Sequence, residues 1–175
     1  IELRVDANGA FTPKNALERL EQLAPLKIHS VEQPIKQGQW EEMARICRLS
    51  PVPVALDEEL IGFRSDAAKG EMLDTIRPQY IILKPSLCGG FREADSWVSE
   101  ARLRNIGWWA TSALESNIGL NAIAQWISGY ETSMPQGLGT GALYTNNFSC
   151  PLRQEHDYLR FQPGESFSGV KELFL

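Results

Sequence analysis

The sequence predicts an α/β chain made of parallel strand–helix units from a (β/α) barrel. Three observations point there. Short apolar runs alternate with amphipathic stretches along most of the 175 residues, which implies a parallel sheet with helical cover. Asp6, Glu32, Asp57 and Lys84 each stand at or just past the C-terminal end of such a run, and Thr111 and Gly137 continue the series. The successive intervals are 26, 25, 27, 27 and 26 residues, close to the roughly 30 of one barrel unit. An open doubly wound sheet is the alternative; the regular return of a functional residue to one strand end favours the barrel, whose active sites occupy that face.

The predicted strands are Leu3-Arg4-Val5, Ser30-Val31, Val52 to Leu56, Tyr80 to Leu83 and Trp108-Trp109-Ala110, with a weaker sixth near Met134 to Leu138. Between them lie helical stripes. Ala16, Leu17, Leu20, Leu23 and Ala24 share a face, with Thr12 as N-cap and Pro13 at the first helical position. Trp40, Met43, Ala44 and Cys47 make a second stripe; Phe91, Ala94, Val98 and Ala101 a third; Leu120, Ile123, Ala124 and Ile127 a fourth, capped by Ser116. Between Asp57 and Tyr80 the helix signal is short and weak. Residues 1–145 thus read as six βα units, and 146–175 as an irregular tail rich in turn formers, packing on the barrel or on a further domain. Six units do not close eight strands, and the chain opens inside its first run, so two strands are expected upstream of Ile1.

Composition narrows the function classes. Hydrophobic residues are 43%, charged residues 22%, and the net charge is −5, which suits a globular protein with a core and argues against disorder. No basic cluster offers a nucleic-acid footprint. No apolar run is long enough to span a bilayer, and no secretory leader is recognised. Three widely spaced cysteines, Cys47, Cys88 and Cys150, favour a reducing, cytoplasmic setting over a disulfide scaffold.

The chemistry lies at the strand ends. Any one of Asp6, Glu32 and Asp57 alone reads as a solvated loop acid. Three carboxylates at one barrel mouth repel one another unless a cation neutralises them. Oxygen-only donors favour a hard ion, Mg²⁺ by default. Lys84 ends a buried run, either as a surface cap or as a cation facing a substrate anion or shuttling a proton. Asn8 shares parity with Asp6 and either orients the site or forms an Asn-Gly turn with Gly9. Glu58 is either a contact to another charged group or a solvated acid. Thr111, Ser112 and Glu115 supply hydroxyls and a carboxylate at the fifth strand end; without a partner histidine, Ser112 is a poor nucleophile. Gly89-Gly90 either cradles an anion or makes a tight turn with positive φ. His29 and His156 read as ordinary polar residues, and Trp40 and Trp97 as packing.

Asp6-Ala7-Asn8, Val31-Glu32-Gln33-Pro34, Leu56-Asp57-Glu58 and Lys84-Pro85-Ser86-Leu87-Cys88-Gly89-Gly90 together resemble the enolase superfamily, in its muconate-lactonizing-enzyme subgroup. Thr111-Ser112-Ala113-Leu114-Glu115-Ser116-Asn117-Ile118-Gly119 adds a likeness to that subgroup's o-succinylbenzoate synthases. The resemblance implies an enolase-type barrel preceded by an N-terminal capping domain. It also implies Mg²⁺ on Asp6, Glu32 and Asp57, Lys84 as an active-site lysine, and a succinyl pocket lined by Thr111, Ser112 and backbone near Gly137. The implied reaction is syn-dehydration of 2-succinyl-6-hydroxy-2,4-cyclohexadiene-1-carboxylate through an enediolate, a step of menaquinone synthesis. The family's second lysine lies in a Lys-x-Lys motif, which this sequence lacks. This chain by itself is therefore expected to be inactive and to need the preceding part of the same polypeptide. The partners expected are that segment and a small carboxylate substrate. A dipeptide epimerase or N-acylamino acid racemase of the same subgroup is the nearest rival, and a non-catalytic barrel module the rival of another class.

Overall fold

The computed structural model describes residues 2–168. Five strands, β1 (Arg4–Asp6), β2 (Ser30–Glu32), β3 (Val54–Leu56), β4 (Tyr80–Leu83) and β5 (Gly107–Ala110), form one sheet in sequence order. The pairs β1–β2, β2–β3 and β3–β4 are parallel. Helices fill the crossovers: α1 (Ala16–Leu23), α2 (Trp40–Leu49), α3 (Asp66–Ile76), the short α4 (Pro85–Cys88) and α5 (Phe91–Leu103). After β5 come α6 (Asn117–Ser128) and the antiparallel pair β6 (Leu152–Glu155) and β7 (Tyr158–Phe161). The chain divides into two compact units: residues 2–83 with 87–108, and residues 84–86 with 109–168.

In the first unit the strands are short, and β3 and β4 are apolar, as strands of a parallel sheet covered by helices are. Every residue of β3 is buried, as are Ile81, Ile82 and Leu83 of β4. Helix α2 buries Met43, Ile46 and Cys47 at helical spacing. Phe63 sits between the rings of Trp40 (6.2 Å, stacked) and Trp97 (5.4 Å, edge-on), so both tryptophans pack as expected. His29 lies 4.7 Å from Tyr80 ring to ring.

Four local readings change. Helix α1 begins at Ala16 with Asn15 as N-cap. Thr12 and Asn15 instead close a turn, Asn15 Oδ1 accepting from the Thr12 N–H at 2.8 Å and Thr12 Oγ1 from the Asn15 N–H at 3.4 Å. A full helix, α3, fills the weak stretch, with Ser65 Oγ accepting from the Ala68 N–H at 3.3 Å. Its apolar stripe is interrupted because Lys69 and Gly70 occupy its buried face. A Cβ at Gly70 would stand 2.7 Å from a nitrogen at the end of the Arg104 side chain. Arg104 in turn bonds both oxygens of Asp74 at 2.8 Å, and this holds the Asp74 carboxyl below its usual range.

In the second unit the predicted sixth strand shrinks to a single parallel bridge between Thr111 and Gly137. Helix α6 starts after Ser116 as expected, although no side-chain cap bond forms. The tail is not irregular throughout, since Leu152–Phe161 folds as a hairpin turning at His156, φ 55°. Residues 169–175 of the tail lie outside the described residues.

Candidate functional site

In the first unit, β1 and β2 end together. Asp6 and Glu32 are register partners, and Glu32 in turn pairs with Ala55. Asp57 lies two residues beyond Ala55, so the three acids sit at matching parity on neighbouring strand ends. Asp57 is buried, Glu32 half-buried and Asp6 exposed. Asp6 Oδ1 accepts from the Asn8 N–H at 2.7 Å. Asn8 and Gly9 both have positive φ (47° and 67°), the backbone of an Asn-Gly turn. Glu58, half-buried, opens a single 3₁₀ turn, Glu58–Leu60. Gly89 and Gly90 have φ 105° and 91°, and Gly90 is the N-cap of α5, which is the tight-turn reading.

The backbone of Asp57 is held by a buried polar network. Gln33 Oε1 accepts from the N–H of Asp57 at 3.1 Å and of Glu59 at 3.4 Å. Gln33 Nε2 donates to Glu59 Oε2 at 3.2 Å and to the Ile35 carbonyl at 3.0 Å. Glu59 Oε1 accepts from the Gly38 N–H at 2.8 Å. Gln33 and Glu59 are 1% and 4% exposed. Sequence reasoning missed both as site residues. The only local signal is the position of Gln33 directly after Glu32.

In the second unit, Lys84 follows β4 directly, half-buried, and Pro85 behind it opens α4. Ser86 Oγ donates to Glu115 Oε1 at 2.5 Å, while Glu115 Oε2 accepts from the Ala113 N–H at 2.8 Å. Thr111 Oγ1 donates to the Gly137 carbonyl at 2.9 Å, which also receives the Ser112 N–H at 3.2 Å; the Gly137 N–H returns to the Ala110 carbonyl at 2.8 Å. Ser112 Oγ shares a hydrogen with Thr140 Oγ1 at 2.5 Å and accepts from the Leu114 N–H at 3.3 Å. Thr111, Ser112, Glu115 and Gly137 are thus brought together as one hydrogen-bonded loop cluster, with Ser86 tying in the residues after Lys84.

The three acids offer only hard oxygen donors, so in chemistry and in strand position they fit Mg²⁺. Their side chains are not gathered on one point: among the described residues no group of three His, Cys, Asp or Glu comes together as a metal site.

Residues 1–164 match the enolase C-terminal domain-like family, and the chain belongs to it. A particular likeness stands out within that family. The chain is 63% identical over 152 residues to o-succinylbenzoate synthase of Desulfotalea psychrophila, covering 87% of this chain and 41% of the relative. The crystal structure of MenC from the same organism superposes with a TM-score of 0.88 at 59% identity, over 91% of this chain and 44% of that one. An L-Ala-D/L-amino acid epimerase of a Maribacter species is 30% identical over 122 residues, 70% of this chain and 35% of the relative. The chain therefore spans about two-fifths of the length of these curated relatives. Among the described residues no helix is long and apolar enough to cross a membrane.

Proposed function

We propose that this chain carries the cation-binding acids and one active-site lysine of an o-succinylbenzoate synthase. The observation that carries the reading is the strand-end series Asp6, Glu32, Asp57, Lys84 in a chain 63% identical to a protein of that activity. In this reading Asp6, Glu32 and Asp57 hold Mg²⁺, which would supply positive charge to the substrate carboxylate. A proton α to a carboxylate is only weakly acidic, so its removal needs the enediolate charge to be stabilised. The Lys84 ammonium contributes there as a fixed cation. The acid/base lysine that takes the proton and returns it to the departing hydroxide, as water, belongs to the Lys-x-Lys motif absent from these 175 residues. Thr111 and Ser112, with the backbone at Gly137, line the end that receives the succinyl group. Glu58 and Glu115 support the site: Glu115 through Ser86, and Glu58 as the neighbour of Asp57.

The likeness to the Maribacter epimerase keeps a second reaction in view. The two separate cleanly with the full natural chain and Mg²⁺. Loss of water from the hydroxycyclohexadiene carboxylate, with no α-deuterium uptake by dipeptides in D₂O, is the expected result. Deuterium uptake by a dipeptide without dehydration would replace the synthase reading with an epimerase. The 175-residue chain alone is expected to be inactive, and robust turnover by it would remove the role given to the missing lysine.

A further inference from the structure

Gln33 occupies a costly position. Its φ is 38°, a left-handed conformation that non-glycine residues adopt rarely and keep where surrounding structure enforces it. Its groups reach the segments of all three proposed ligands. Its N–H donates to the Ala55 carbonyl on β3 at 2.8 Å, and its own carbonyl accepts from the Gly9 N–H, just after Asp6, at 2.7 Å. Its amide oxygen receives the Asp57 N–H, and Glu32 precedes it in sequence. Glu59, buried beside it, takes the amide N–H and anchors to Gly38.

From these contacts we infer that Gln33 and Glu59 are a positioning pair. They fix the backbone at Asp57 against the ends of β1 and β2, so that the three strand ends are held side by side where one divalent cation would draw their carboxylates together. The inference rests on the reading of Asp6, Glu32 and Asp57 as cation ligands. The pair acts through the backbone of the ligand residues and touches neither substrate nor cation.

The chemistry of the pair supplies its own control. Gln33→Glu keeps an acceptor for the Asp57 N–H but sets two carboxylates against each other. Glu59→Gln keeps one acceptor and offers an amide N–H where a second donor already points. The double exchange, Gln33→Glu with Glu59→Gln, restores one donor and one acceptor between the two positions, at the cost of the bond to Ile35. The experiment titrates Mg²⁺ calorimetrically into the full natural chain and these variants, with Asp57→Asn as reference, and records melting in EDTA.

Each single exchange is expected to weaken Mg²⁺ binding by about tenfold or more. The double exchange should return to within about threefold of the unaltered protein, because the effects of contacting residues are strongly coupled. A purely structural pair would lower the melting temperature in EDTA and leave Mg²⁺ affinity unchanged. Unchanged affinity in the singles, with affinity lost in Asp57→Asn, overturns the pairing and leaves the proposed function standing. If one single exchange does not fold, a double exchange no tighter than the other overturns it equally. Unchanged affinity in Asp57→Asn would instead overturn the ligand reading itself.

Discussion

Lys69 is a buried cation on the inner face of α3, and its environment predicts an asymmetry. The side chain is fully buried, with Nζ 2.6 Å from Glu93 Oε2, 2.7 Å from Ser96 Oγ and 3.5 Å from Asp66 Oδ1. It also lies 5.5 Å from the Trp97 ring centre. Removing one partner from a buried ion pair costs about 3–5 kcal/mol, because a charge stays behind uncompensated. Glu93→Gln leaves the Lys69 charge buried and facing the exposed Asp66 carboxylate, so about 2–4 kcal/mol is expected. Lys69→Met leaves Glu93 instead. Its side chain is 24% exposed and stands in the first turn of α5, where solvent and the helix dipole both favour its charge. The expected cost is about 1–2 kcal/mol, since the methionine fills the volume of the lysine stem. Urea unfolding of the full natural chain and both variants measures the difference. A Lys69→Met variant no more stable than Glu93→Gln would show that burial of the cation does not set the cost.

Two further outcomes follow from packing and burial. A Cβ at Gly137 would stand 2.5 Å from Thr111 Oγ1 and 2.8 Å from its Cβ. Gly137→Ala should therefore destabilise by about 1–3 kcal/mol, as overpacking does, and lower the melting temperature; an unshifted melt would contradict the close approach. Burial pushes the thiol of Cys47 up to about 12 and that of Cys88 up to about 11. These groups hold their protons in the folded chain while the unfolded chain releases them above about 9, so stability should fall as pH rises from about 9 toward 12. Cys47→Ala should flatten that alkaline slope, and an unchanged slope would count against a buried thiol.

What the sequence made legible depended on how local each signal was. Continuous apolar runs marked β3 and β4, because buried parallel strands carry little polar interruption. Met134–Leu138 was the weaker candidate, and only Gly137 bridges to Thr111; the Ala110 N–H donates to the Gln136 side-chain oxygen at 2.7 Å. Helix α3 was faint because a lysine and a glycine lie on its buried face; their neighbours Glu93 and Arg104 are distant in sequence, Glu93 standing 24 residues from Lys69. The β6–β7 hairpin was hidden for another reason. Its residues are largely exposed, and part of its stabilisation is the Arg160–Glu155 cross-strand pair at 3.0 Å, so no apolar alternation advertises it. Periodicity alone placed Asp6, Glu32, Asp57 and Lys84 at strand ends; the roles proposed for them came from the family resemblance. Gln33 and Glu59 could not be read in either way, because their roles come from hydrogen bonds spanning 24 and 26 residues.

In the proposed function Lys84 is a fixed cation that stabilises the enediolate charge. The most direct test compares Lys84→Ala with the unaltered full natural chain. It measures Mg²⁺ binding calorimetrically and follows conversion of the hydroxycyclohexadiene carboxylate to 2-succinylbenzoate by ultraviolet absorbance. Mg²⁺ should bind as before and turnover should fall by about 10²–10³, the usual loss of a charge-stabilising group. Turnover within about tenfold of the unaltered protein, with Mg²⁺ bound, would contradict that role for Lys84.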